Sequence, residues 1–213
     1  MTSAMNHPAA DTQRKLEAWL DGVPTAPPPE PAALLPGAVD APTAELVFAL
    51  LVWEAGVPRA ASSARRLAEA FVDLNELRVA LIEEIEQAVG LEDTHATERA
   101  ELIATTLRQV FDREDIVSID RIARAGASEM RPFLEDIPGL PVFVIDRVML
   151  MVMGEQRVPV DDRLCHALAD KGIISEQTPD TDAADLLSRI CPTDGARGLY
   201  MRLESAASRC GRP

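Results

Sequence analysis

Residues 137 to 163, IPGLPVFVIDRVMLMVMGEQRVPVDDR, constrain most tightly what this chain can fold into. A Pro138-Gly139 turn leads into a run carrying Val142, Phe143, Ile145, Val148, Met149, Val152 and Met153, apolar on nearly every side, which predicts a central buried helix. Gly154 ends that run, a short polar stretch follows, and Val160-Asp161 opens a further helical segment, DDRLCHALADKG, that stops at Gly172. The order is helix, tight turn, helix, loop, and then an acid at a helix start.

The flanking chain carries the same period. From Thr43 the segments ELVFALLVWEA, RAASSARRLAEAF and NELRVALIEEIEQAV are helical in pattern. Asp73 followed by Glu76 reads as a capping box for a third helix that ends near Gly90, and Thr94 is placed to cap a fourth. That fourth helix carries Leu102, Ile103, Leu107, Val110 and Phe111 on one stripe. IDRIARAG ends at Gly126, another helix starts at Ser128, and TDAADLLSRI and RGLYMRLESAAS close the chain. No segment shows convincing period-two alternation, so the expected class is all-α with about ten helices.

Residues 1 to 40 read differently. Asp11 to Leu20 is a short amphipathic candidate with Leu16, Trp19 and Leu20 on one face, and the tract VPTAPPPEPAALLPG after it can form neither helix nor central strand. The expected organisation is an N-terminal arm with a Pro-rich linker over 1–40 and a single domain over 41–213. The tract is a semi-rigid linker or a proline-rich ligand for a protein partner.

Composition narrows the function. The 213 residues carry 21 lysines and arginines against 35 acids, a formal charge of −14 that repels phosphate overall and leaves room only for a local basic patch. Cys165, Cys191 and Cys210 are widely spaced, with no CxxC pair and no histidine cluster, so buried thiols are expected and no metal. The amino terminus has no continuous apolar core, and no stretch approaches the about 20 apolar residues of a membrane span. The expectation is a soluble, cytoplasmic protein without membrane contact.

On Ile137-Pro138-Gly139-Leu140, Gly154, Val160-Asp161 and the spacing from Gly139 to Asp161, the central stretch resembles the helix-hairpin-helix DNA glycosylases, most closely the endonuclease III branch. The resemblance spans roughly 43 to 210, with weaker similarity in FALLVWEAGVPRAASSARRLAEAF and DLLSRICP. It implies two helical lobes with a DNA cleft between them, a hairpin that grips the backbone, and an aspartate working in the cleft. Duplex DNA is thus the implied partner, and base excision repair the implied process.

Residue by residue, the resemblance makes Pro138, Gly139, Leu140 and Pro141 the DNA-binding hairpin and Asp161 the catalytic acid. Turn amides feeding a helix start favour an anion, but Pro141 stands where a second glycine is usual and has no N–H to donate, while Val142 replaces a basic residue. A carboxylate can stabilise the positive charge that builds on the sugar as the N-glycosidic bond breaks, and can activate water. Asp161 can equally be an N-cap for the helix it opens, with Asp162 a first-turn acid. Phe143 occupies the position of the lyase lysine, so Schiff-base strand cleavage is not expected there. The iron–sulfur cluster common in the family needs four closely spaced cysteines; only Cys210 falls in that region, and no cofactor is expected.

Other residues remain open between two roles. Arg59, Arg65 and Arg66 are a basic patch or a solvated face, and Asp146 and Arg147 either face the cleft or pair. His95 and His166 are isolated, Trp53 and Tyr200 read as core, and the resemblance sets Glu54 where related enzymes carry a polar residue facing the base. Two functions follow from the sequence: a DNA glycosylase-fold repair protein limited to monofunctional base removal, or a catalytically inactive helical module that binds DNA or protein.

Overall fold

The computed structural model describes residues 7–24, 27–191 and 195–209. Among them are twelve α-helices and no strand, which agrees with the all-α class and exceeds the expected ten helices or so. The chain divides into two compact units, residues 29–155 and residues 1–28 with 156–213.

The unit spanning 29–155 is built around α2 (Ala41–Val52), in which every residue from Thr43 to Val52 is buried. A helix buried on all sides has no polar stripe to spare, and its few polar groups must be matched. Asp40 caps it: one carboxylate oxygen accepts from the Thr43 amide at 2.9 Å and the other from the Thr43 and Ser118 hydroxyls at 2.8 Å each. The Thr43 hydroxyl in turn accepts from the Ile119 amide at 2.9 Å, tying the start of α2 to a loop 76 residues away.

Against α2 pack α3 (Val57–Ala70), α6 (Ala96–Glu114), α7 (Asp120–Ala125) and α9 (Val142–Val148), the last running on into a π turn over Met149–Met153, while α4 (Leu74–Val79) and α5 (Ile82–Val89) pack on α6 and α8 (Ala127–Glu135) packs on α7 and α9. Gly154, with φ 72°, ends the π turn by donating its amide to the Met149 carbonyl. The expected buried helix after the turn is present, since Phe143 to Leu150 are all buried, but it shares the centre with α2.

Two local expectations are corrected. The expected single helix from Asp73 to Gly90 is two, broken at Ala80-Leu81, where Ala80 turns to φ −64° and ψ 158° and the Glu84 carboxylate accepts from the Leu81 amide at 3.0 Å. The Asp73 cap holds, with bonds from the Asn75 and Glu76 amides, although Glu76 reaches back to the Val72 amide, one residue earlier than a capping box requires. For α6 the N-cap is His95, not Thr94, and it makes no side-chain cap.

The second unit gathers α1 (His7–Leu20), α10 (Asp162–Asp170), α11 (Asp180–Arg189) and α12 (Gly195–Arg209). Leu16 and Leu20 of α1 are 1% exposed, Arg202 of α12 donates to the Leu20 carbonyl at 2.7 Å, and Lys15 donates to the Gly172 carbonyl at 3.2 Å. The compact units therefore do not follow a division at residue 40, because the apolar face of α1 is covered by the C-terminal helices. Among the described residues no single helix is long and apolar enough to cross a membrane.

The deepest ion pair in the first unit joins α9 to α2: Arg147 Nη2 lies 2.9 Å from Glu45 Oε1, with side chains 1% and 8% exposed, and the guanidinium carbon sits 5.4 Å from the Phe48 ring centre. Removing one buried partner strands the other charge, at a cost of about 3–5 kcal/mol, whereas an apolar pair of similar volume is close to neutral. Arg147→Met alone is expected to lower unfolding stability by that amount in urea denaturation, and Glu45→Leu with Arg147→Met to recover most of it. Equal losses in the single and double variants would contradict the pairing.

Candidate functional site

The hairpin is a β-turn. Leu140 donates its amide to the Ile137 carbonyl at 3.2 Å, with Pro138 and Gly139 between them. Gly139 has φ 75°, the left-handed value that the third position of a type II turn requires, and proline at the second position is pre-set for it. Ile137 and Leu140 are buried at its two feet, while Pro138 and Gly139 are exposed at its tip.

Pro141, with φ −62° and ψ 142°, is the N-cap of α9 and offers no side-chain cap. Val142 is 47% exposed and Phe143 is buried, so the first two helical side chains are apolar, one facing solvent and one the core. The cation beside the hairpin comes from elsewhere. Arg113 of α6 donates to the Phe133 carbonyl at 3.2 Å and the Asp136 carbonyl at 2.9 Å, bracing the chain just before the turn. No sequence signal points to it, because its partners lie 20 and 23 residues away.

Asp146 and Arg147, open in the sequence between facing a cleft and pairing, both pair. Arg147 meets Glu45, and Asp146, 2% exposed, lies 3.3 Å from Arg131, which also holds Glu155 at 2.6 Å. Partial burial disfavours the Arg131 charge, but Glu155 and Asp146 outweigh it and hold the pKa above its ordinary value. The arginines of α3 are also engaged: Arg59 lies 3.4 Å from Asp93, Arg65 bonds the Ala61 carbonyl and Arg66 the Gly90 carbonyl.

Glu54 sits in the turn after α2 with φ 56°, a region that a residue with a side chain seldom adopts. The turn is held from below by Arg99, 0% exposed, which donates to the Trp53 carbonyl at 2.9 Å and pairs with Asp93 at 3.1 Å. Trp53 meets the His95 ring edge-on, with centroids 5.0 Å apart. His166 is exposed and Tyr200 fully buried.

Asp161 belongs to the other unit. It is the N-cap of α10, its carboxylate accepting from the Leu164 amide at 2.9 Å, and it is 2% exposed. Its second oxygen lies 3.5 Å from Arg163, whose same nitrogen is 2.6 Å from Glu204 of α12. Burial works against the Arg163 charge, but Glu204 and then Asp161 overcome it, keeping the guanidinium charged well beyond the ordinary range. The carboxylate is thus oriented and already engaged, and Asp162 is an exposed first-turn acid.

Cys165 is buried and Cys191 half-buried, while Cys210 lies outside the described residues. Among the described residues no group of three or more His, Cys, Asp or Glu is placed to hold a metal ion.

Against solved structures, the chain matches an endonuclease III–DNA covalent intermediate with a TM-score of 0.62 at 13% identity, covering 94% of this chain and 85% of that one. It matches a thermostable thymine-DNA glycosylase with 0.62 at 14%, over 98% and 90% of the two chains. This is the helix-hairpin-helix DNA glycosylase fold. A third glycosylase-fold structure, the H. pylori 3-methyladenine DNA glycosylase bound to 1,N6-ethenoadenine, matches with 0.60 at 14%, over 94% and 95%. No protein-family model and no curated protein sequence matches the chain.

Replacing the Asp161 carboxylate separates its cap from its charge. Asp161→Ala loses both and is expected to cost about 1–3 kcal/mol in urea unfolding, while Asp161→Asn keeps an acceptor for the Leu164 amide and costs less. If the two variants were equally stable, the cap would be contributing nothing.

Proposed function

We propose that this protein engages damaged duplex DNA as an endonuclease III-like member of base excision repair, with its chemistry confined to monofunctional base removal at Asp161. The observation that carries this reading is the glycosylase fold extending over 94–98% of the chain, matched to solved structures that hold DNA or a modified base. In the proposed step the glycosidic bond breaks with its electrons leaving on the base, the Asp161 carboxylate offsets the charge on the sugar, and water adds at the anomeric carbon as its proton passes to that carboxylate.

Phe143 supplies no amine, so no Schiff base forms there and the strand is left intact. The step is hydrolytic and needs no cofactor, and three cysteines in the whole chain are too few for a four-thiolate cluster. The Pro138-Gly139 turn and the α9 start would meet the phosphate backbone, with one amide fewer because of Pro141.

A second reading is favoured by the state of Asp161, whose buried carboxylate already serves a helix cap and Arg163. In it the protein is a catalytically silent module that binds DNA, or a protein partner through the Pro-rich arm. The net charge of −14 favours this reading too.

Fluorescence anisotropy with a duplex bearing a tetrahydrofuran abasic analogue tests the DNA reading. Binding is expected to be about tenfold or more tighter than to the intact duplex and to weaken steeply with added salt. Undetectable binding at low ionic strength would overturn it.

A further inference from the structure

The break between α4 and α5 does more than shorten a helix. It opens a surface groove of about 540 Å³, walled by Ala70 and Phe71 from the end of α3, by Val79 and Ala80 from α4, and by Glu84 and Ala88 from α5. Leu77 of α4 and Ile85 of α5 are fully buried, so both helices place their own apolar stripe inside the unit and the groove lies outside it.

Single exposed apolar side chains are ordinary, but here they cluster. Val72, Val79 and Leu81, within ten residues of one another, are 79%, 63% and 64% exposed. Leu81 takes part in the α5 start through its backbone, its amide bonding the Glu84 carboxylate, and its side chain stays exposed.

Acids outnumber cations around these side chains, since Arg66 of α3 is committed to the Gly90 carbonyl at 3.0 Å. Glu76 and Glu84 line the groove, and Glu69 and Glu83 are exposed beside them. Arg78 of α4 is turned away: its guanidinium lies over the Phe111 ring of α6, 4.0 Å from the centroid. An apolar wall beside the carboxylates of Glu76 and Glu84 fits an apolar segment flanked by lysine or arginine. A second copy of this chain, with a net charge of −14, is repelled from these carboxylates. With no strand among the described residues there is no sheet edge for an extended peptide to join, and an apolar groove between helices is the shape that accepts an amphipathic helix.

We propose that the α3–α4–α5 groove is a docking site for a basic amphipathic helix of a partner protein, which seats apolar side chains against Phe71, Val79 and Leu81 and sets its cations against Glu76 and Glu84. The site is independent of Asp161 and of the hairpin, and the proposal stands whether or not DNA is bound.

The test uses the full chain and a fluorescent 18-residue peptide made of leucine on one helical face and lysine on its flanks, beside the same peptide with glutamate in place of lysine. Saturable binding of the lysine peptide is expected, with affinity falling as salt rises. Val79→Ser with Leu81→Ser, both at exposed positions, should weaken it at least about tenfold, and Glu76→Gln with Glu84→Gln, which retain an acceptor for the backbone amides, should weaken it and flatten the salt dependence. Unchanged thermal unfolding of the variants shows that the fold persists. Equal binding of the glutamate peptide, no effect of either double substitution, or concentration-dependent self-association in sedimentation that Leu81→Ser abolishes would each overturn the assignment.

Discussion

The buried pair between Arg147 and Glu45 is the contact on which the 29–155 unit depends. Two charges are removed from water between α9 and α2, the two helices with the longest continuous buried runs, and each offsets the cost of burying the other. Directly before it, Asp146 reaches Arg131 of α8. Adjacent residues of opposite sign thus fix α9 to two different helices, and with α9 fixed, so is the turn that feeds it. The Pro138-Gly139 tip is exposed, yet its two feet, Ile137 and Leu140, are buried, so its shape belongs to the core rather than to a free loop.

Much of this geometry is legible in the sequence because it is local. A Pro-Gly pair at the middle of a type II turn, a glycine that stops an apolar helix at Gly154, and an aspartate that caps at Asp73 or Asp161 each act within a few residues, and each stands where the pattern puts it. What is not legible depends on distant partners. That Arg147 finds Glu45, that Arg113 braces the hairpin, and that α1 is covered by α12 are facts of packing between segments 20 to 182 residues apart. The break at Ala80-Leu81 contains neither glycine nor proline; it is made by a β-region turn that the Glu84 carboxylate holds through the Leu81 amide, and apolar periodicity alone runs straight through it.

For the candidate site, the residue types are readable and their engagement is not. In the sequence Asp161 is open between an N-cap and a catalytic acid, and its bond to the Leu164 amide establishes the cap without touching the second role. A carboxylate set beside an arginine and oriented by a helix start is fixed in direction, which a base-removing acid also requires. Phe143, in contrast, is an aromatic side chain packed in the core of its unit, and its burial explains why an apolar residue is stable there.

The chemistry proposed for this chain is base removal and nothing beyond it. Single-turnover incubation with duplexes carrying uracil, thymine mispairs, 3-methyladenine or 8-oxoguanine, read with and without hot alkali, tests it most directly. Strand breaks are expected from at least one of these duplexes only after alkali, with no protein–DNA adduct on borohydride treatment. Breaks without alkali, a trapped adduct, or intact bases in every duplex would contradict it.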